Sequence, residues 1–130
     1  MPWFFLLSAC GDERAEDSAA PRFYVESVDP LDGAVESDVG AVELRLNGIP
    51  DISRCTTATM RVDAARDDGT LAFSVPVELS VSGEGFVKLR RIDPYLHGWA
   101  YQVTVRGGES GCADADGIPI EPFFSQFQVP

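Results

Sequence analysis

The sequence predicts an all-β fold, a two-sheet antiparallel sandwich of about seven short strands. Three observations carry that expectation. From Arg22 onward, apolar residues recur at every second position, the period of a strand with one buried and one wet face. Clusters of Pro, Asp and Gly separate these runs, and such residues set the backbone of turns. No apolar stripe at helical spacing runs long enough to make a helix. A small closed barrel is the alternative arrangement of the same strands.

The strands are read in order. Phe23 to Val28 is rich in β-formers, and Asp29-Pro30-Leu31-Asp32-Gly33 follows as a turn, with Pro fixing φ and Gly free to take φ > 0. Val42, Leu44 and Leu46 alternate with Glu43 and Arg45, and Met60, Val62 and Ala64 alternate with Arg61 and Asp63. After the turn Asp67-Asp68-Gly69, the odd positions from Leu71 to Val81 keep one apolar face. Pro76 interrupts that run and has no N–H for a ladder, so an edge or a break belongs there. Val87 and Leu89 follow the loop Ser82 to Gly85. Trp99, Tyr101, Val103 and Val105 give the cleanest alternation, and Phe123, Ser125, Phe127 and Val129 the last.

The chain has 130 residues, 45% of them hydrophobic, and a net charge of −11. That suffices for one domain with a core. The negative surface repels nucleic acid, whose binding rests on phosphate neutralisation, and anionic lipid; its plain role is solubility. No apolar run reaches the roughly 18 residues of a spanning helix.

The first residues read differently. Leu7-Ser8-Ala9-Cys10 resembles a lipobox, the end of a bacterial lipoprotein signal, at every position. The resemblance implies diacylglycerol on the Cys10 sulfur and anchoring in a lipid bilayer, each buried methylene contributing about 0.8 kcal/mol. Residues 1–9 are then a truncated signal peptide, since Met1 to Phe5 carry no Lys or Arg and a basic n-region is expected upstream. Residues 10–21 are the lipidated cysteine and a polar tether, too poor in apolar residues to order itself and reaching about 18 Å as a flexible coil. Gly11 rather than Asp follows the cysteine, which favours the outer membrane. The alternative is an apolar N-terminal strand with a free thiol.

In the body, residues 22–130, several motifs fall in a recognisable order: Asp29-Pro30-x-Asp32-Gly33-Ala34, Gly98-Trp99-Ala100-Tyr101-Gln102-Val103-Thr104-Val105, Asp114-Ala115-Asp116-Gly117-Ile118-Pro119-Ile120, and Phe124-x-x-Phe127. They resemble the bacterial Ig-like domains of the SbsA type. Here Ile118 stands where that family usually has Asn, and Ile120 where it has Leu. The resemblance implies an Ig-like sandwich acting as a structural or binding module of an exported protein, not an enzyme. Tyr101, opening its strand, either reaches nearby backbone with its hydroxyl as a tyrosine corner or simply packs in the core.

Three cysteines are odd in number; assigning Cys10 to lipid leaves Cys55 and Cys112 as an even pair. In an oxidising compartment they are expected to bond, adding about 4 kcal/mol in the chain-entropy model. Two separate buried thiols are the alternative.

Other chemistry is thinly represented. An EF-hand centred on Gly117 would place Cys112 and Phe123 at ligand positions, which excludes it. A looser calcium site would use Asp114, Asp116 and Glu121; the plainer reading is an Asp/Gly turn. His97 is the single histidine, no G-x-S-x-G elbow accompanies it, and no catalytic residue or cofactor is assigned. Gly107, Gly108 and Gly111 do not lead from a strand into a helix, so they form no phosphate loop. Tyr95, Trp99, Phe123 and Phe124 either fill the core or line a glycan-binding face, with Tyr95 and Phe124 off the inward register. The reading is an envelope-anchored structural or adhesive module; the alternative is a tethered module binding glycan or calcium.

Overall fold

The computed structural model describes residues 20–130. The expectations for residues 1–19, Cys10 among them, lie outside it. Among the described residues eight strands run in order: β1 (Val25–Asp29), β2 (Ala41–Leu46), β3 (Met60–Ala65), β4 (Leu71–Ser74), β5 (Val77–Val81), β6 (Phe86–Arg91), β7 (Trp99–Val105) and β8 (Phe123–Val129). They form two four-stranded sheets, ordered β1-β2-β6-β5 and β4-β3-β7-β8, and every pairing within them is antiparallel. This is the A-B-E-D and C′-C-F-G arrangement of an Ig-like sandwich; the barrel is not formed.

The alternation read from sequence builds the core. Val42, Leu44 and Leu46 of β2, Met60, Val62 and Ala64 of β3, Val87 and Leu89 of β6, and Tyr101, Val103 and Val105 of β7 are all buried. Phe127 and Val129 close it from β8. Tyr101 stacks on Phe127 with ring centroids 5.6 Å apart and meets Tyr95 at a tilt, centroids 4.7 Å apart. The Tyr101 hydroxyl donates to the Leu96 carbonyl at 2.9 Å, the tyrosine corner that fastens the β6–β7 connection to the base of β7.

Eight strands stand where about seven were read, because the run Leu71 to Val81 divides. Residues Val75 and Pro76 carry the chain from the edge of one sheet to the edge of the other. A residue without an N–H interrupts the ladder there, and each half then pairs with a different neighbour. The expected single apolar face divides with it: Val77, Leu79 and Val81 pack against the core, while Leu71 and Phe73 at the sheet margin are exposed. Phe73 meets the edge of Trp99 with centroids 5.4 Å apart.

Two further positions depart from the pattern. Asp63 falls on the wet phase of β3 yet is 3% exposed, because Arg61 Nη2 donates to it at 2.9 Å and Ser74 Oγ at 2.8 Å. Tyr95, expected off the inward register, is buried at 5%, set edge-on against Phe127 with centroids 5.7 Å apart. It is a core residue and not a surface aromatic, because the β6–β7 connection folds it under the sandwich rather than along a strand.

Burial pushes the Tyr95 phenol up to about 12. In the unfolded chain a tyrosine ionises near pH 10. Between these values the unfolded state holds fewer protons than the folded one, so stability falls as pH rises. The Tyr95 contribution is expected to be intact below pH 10 and lost by about pH 12. Urea melts across that range test this, with Tyr95→Phe expected to flatten the loss. At pH 7 Tyr101→Phe should cost about 1 kcal/mol by deleting the bond to Leu96. Tyr95→Phe, which deletes no hydrogen bond to another protein group, should change little.

Candidate functional site

The β2–β3 and β7–β8 connections meet at one pole of the sandwich and are stapled there. Cys55 and Cys112 form a disulfide with Cα atoms 4.3 Å apart, and both residues are fully buried. Pairing follows from the local fold on each side. A helical turn, in which the N–H groups of Arg54 and Cys55 donate to the Asp51 carbonyl at 3.0 and 2.8 Å, aims Cys55 inward. On the other side the Cys112 N–H donates to Arg106 O at 2.8 Å. Two of the three glycines read as no phosphate loop have a packing role here. A Cβ at Gly107 would lie 2.1 Å from Ile120 O, and one at Gly111 2.2 Å from Arg106 O. The Arg54 guanidinium spans the loop, donating to the carbonyls of Gly111 at 3.1 Å and Glu109 at 2.5 Å.

The chain enters at the same pole. Phe23 forms an isolated parallel bridge to Ile120 and is 1% exposed. Asn47 Oδ1 accepts the Tyr24 N–H at 2.7 Å while its Nδ2 donates to Arg22 O at 2.9 Å. Arg22 grips Glu121 in a two-pronged pair, Nε to Oε2 at 2.6 Å and Nη2 to Oε1 at 2.9 Å. Each partner favours the other's charged form: the guanidinium holds the Glu121 carboxyl below its ordinary value, and the carboxylate raises Arg22.

The candidate calcium residues are therefore placed as follows. Asp114 Oδ1 accepts the N–H groups of Asp116 and Ile118 at 3.0 and 2.8 Å, so its carboxylate is the cap of its own turn. Asp116 is exposed on that turn. Glu121 is turned to Arg22. Among the described residues no group of three or more His, Cys, Asp or Glu side chains gathers at metal-binding distance. His97 lies at the opposite pole, its Nδ1 2.8 Å from the Pro130 carbonyl.

The motif Asp29-Pro30-Leu31-Asp32-Gly33-Ala34 has a role that sequence reading missed. It lies along the outer edge of β8. Asp32 Oδ1 accepts the Gln126 N–H at 2.9 Å, Gly33 N donates to Gln126 O at 2.7 Å, and Gln128 N donates to Ala34 O at 2.8 Å. Gly33 has φ +83°, a conformation L side chains rarely adopt. An open strand edge templates aggregation, and this loop covers one. The signal was the Asp-Gly pair, but its partner strand lies near the other end of the chain.

Of the four aromatics read as core or glycan face, Trp99 and Phe123 are half-buried against the core, Tyr95 is buried, and Phe124 is exposed at 59%.

No protein-family model matches the sequence, and no curated protein matches it at the sequence level. The fold is similar to that of solved proteins. A crystal structure of the S-layer protein SbsC superposes with a TM-score of 0.58 at 19% identity, over 83% of this chain and 14% of that one. PcoC, a methionine-rich copper resistance protein from Escherichia coli, gives 0.58 at 12% identity over 82% of this chain and 97% of that one. CopC from Methylosinus trichosporium OB3b gives 0.55 at 15% identity, covering 82% and 91%. The chain thus spans a small part of the S-layer protein and most of the other two, and at these identities what is shared is the sandwich.

Reducing the Cys55–Cys112 bond is expected to lower stability in urea by about 4 kcal/mol, measured with and without reductant. A change under about 1 kcal/mol would mean the pole is held without it. Millimolar Ca²⁺ is expected to leave the thermal midpoint unchanged, because the Asp114 and Glu121 carboxylates are already engaged; a rise abolished by Asp114→Asn would show that the turn opens to bind it.

Proposed function

We propose that this chain is a lipid-anchored Ig-like module of a bacterial cell envelope, with a structural or adhesive task and no catalysis, related to the SbsA-type Ig-like domains. Its contact with the lipid bilayer is the acylated Cys10, and its place is the outer membrane. The observation that carries the reading is the fate of the cysteines. Cys55 and Cys112 are bonded to each other, which leaves over the third cysteine of the sequence, at the end of a lipobox-like tetrapeptide. A disulfide also fits an oxidising compartment outside the cytoplasm.

The geometry supports a spacer. The chain enters at the disulfide pole beside Ile120 and Glu121, and Pro130 lies by His97 at the other pole. A line between these two points runs along the strands, from one pole of the sandwich to the other. Similarity to a domain of the S-layer protein SbsC supports the same reading. The likeness to PcoC does not extend to its methionine-rich character: this chain has two methionines, and Met60 is fully buried in the core.

Expressed in a bacterium behind a basic n-region, the protein should take up labelled palmitate and fractionate with membranes, and Cys10→Ser should abolish both. Label and membrane association that survive Cys10→Ser would end the lipid-anchor reading.

A further inference from the structure

The outer face of the sheet β4-β3-β7-β8 carries an open cavity of about 600 Å³, within the size range of small-ligand sites. Strand register builds its floor. Arg61 sits opposite Thr104, and Thr104 opposite Phe124, so one row of side chains crosses three strands. Arg106, Gly108 and Pro122 close it toward the disulfide pole. The next row along the face is Asp63, Gln102 and Gln126, with Gln102 Nε2 donating to Gln126 Oε1 at 3.4 Å.

Three features of this cavity point to one ligand chemistry. First, no Asp or Glu lines it, although the chain carries 21 acidic residues against 10 Lys and Arg. Arg61 commits Nη2 to Asp63 and Ser74 and keeps its other donors. Arg106 takes part in none of the ion pairs among the described residues. A guanidinium in this position matches a planar carboxylate two-pronged. Second, Phe124 presents its ring to solvent at 59% exposure, beside the half-buried Phe123. Third, the floor holds the Thr104 hydroxyl, and the next row, just outside the lining, holds the Gln102 and Gln126 carboxamides beside the sealed Asp63; hydroxyls and carboxamides both donate and accept and so suit alcohol groups.

We propose that this face binds an acidic saccharide, a sugar ring bearing a carboxylate. The apolar C–H face of the ring lies on Phe124, the carboxylate meets Arg106 and the remaining N–H groups of Arg61, and ring hydroxyls bond Thr104, Gln102 and Gln126. A neutral sugar leaves Arg106 without an anionic partner, and a bare anion leaves Phe124 uncovered. The site does not depend on the lipid anchor and stands whether or not Cys10 is acylated.

Titration calorimetry on the full chain tests it with three probes: a tetrasaccharide containing glucuronic acid, its carboxyl-reduced form, and inorganic phosphate. The acidic tetrasaccharide should bind, and the reduced form should bind about tenfold more weakly or not at all, the loss of one charge-assisted hydrogen bond. Arg106→Gln and Phe124→Ala, both at exposed positions, should each weaken binding about tenfold with unchanged circular dichroism and an intact disulfide. Arg45→Gln, whose guanidinium lies over Phe86 on the other sheet, should bind as the parent does. No heat with the acidic tetrasaccharide, equal affinity for its reduced form, phosphate binding as tightly as the sugar, or full affinity in Arg106→Gln would each overturn the proposal.

Discussion

Among the described residues every strand but the marginal β4 has one face that must leave water, and the two sheets bury those faces against each other. Val42, Leu44, Val62, Leu89, Val103 and Tyr101, each at most 1% exposed, come from both sheets and form one cluster with Phe127. Fully burying an aliphatic side chain of this kind is worth about 1.5–3 kcal/mol, so the inner faces dominate folding. Register follows from the same constraint. A slip of one residue in β7 would turn Tyr101, Val103 and Val105 to solvent and bring Gln102 and Thr104 into the core.

A sandwich fixed by its interior leaves its edges and poles to be managed separately, and each is managed by local chemistry. The β8 edge is covered by the Asp32–Ala34 turn. The N-terminal entry is fastened by Asn47 and by the Arg22–Glu121 pair. The disulfide pole brings two backbones so close that only glycine fits at 107 and 111. The disulfide itself apart, these devices add little strength, since an exposed ion pair is typically worth less than about 1 kcal/mol. Their contribution is to geometry: they hold the connections where the strands alone would leave them undetermined.

The division between what the sequence shows and what it hides has the same origin. Period-two alternation is local, so strands such as β2, β6 and β7 and the buried phase of each are legible from a few residues. The break at Pro76 is legible too, but not its consequence, because which sheet β5 joins depends on β6, a partner beyond the next turn. Tyr95 was misplaced for a related reason: it lies in a connection, where periodicity carries no information and a packing site between Tyr101 and Phe127 decides. The evenness of Cys55 and Cys112 made the disulfide readable. The role of Asp32 as a cap for Gln126 was not, since nothing local links positions 94 residues apart.

The two outer faces show why a ligand surface is to be sought on one and not the other. On the sheet β1-β2-β6-β5 the outward side chains pair charge with charge: Glu43 with Lys88, Glu78 with Arg90, Glu26 with Arg45. Such a face satisfies itself and is screened by salt. On the sheet β4-β3-β7-β8 the outward phase holds Thr104, Gln102, Gln126, Ala100 and Ala65, short or neutral groups that lie flat. Its one acid, Asp63, is sealed beneath Arg61 and Ser74. Burying a carboxylate is costly unless charge-assisted hydrogen bonds compensate it, and solubility does not require that arrangement on an outward strand position. It removes negative charge from this face and fixes Arg61 beside Thr104. With Arg106 at the rim and Phe124 uncovered on β8, what remains is an open, locally cationic hollow on a strongly acidic protein.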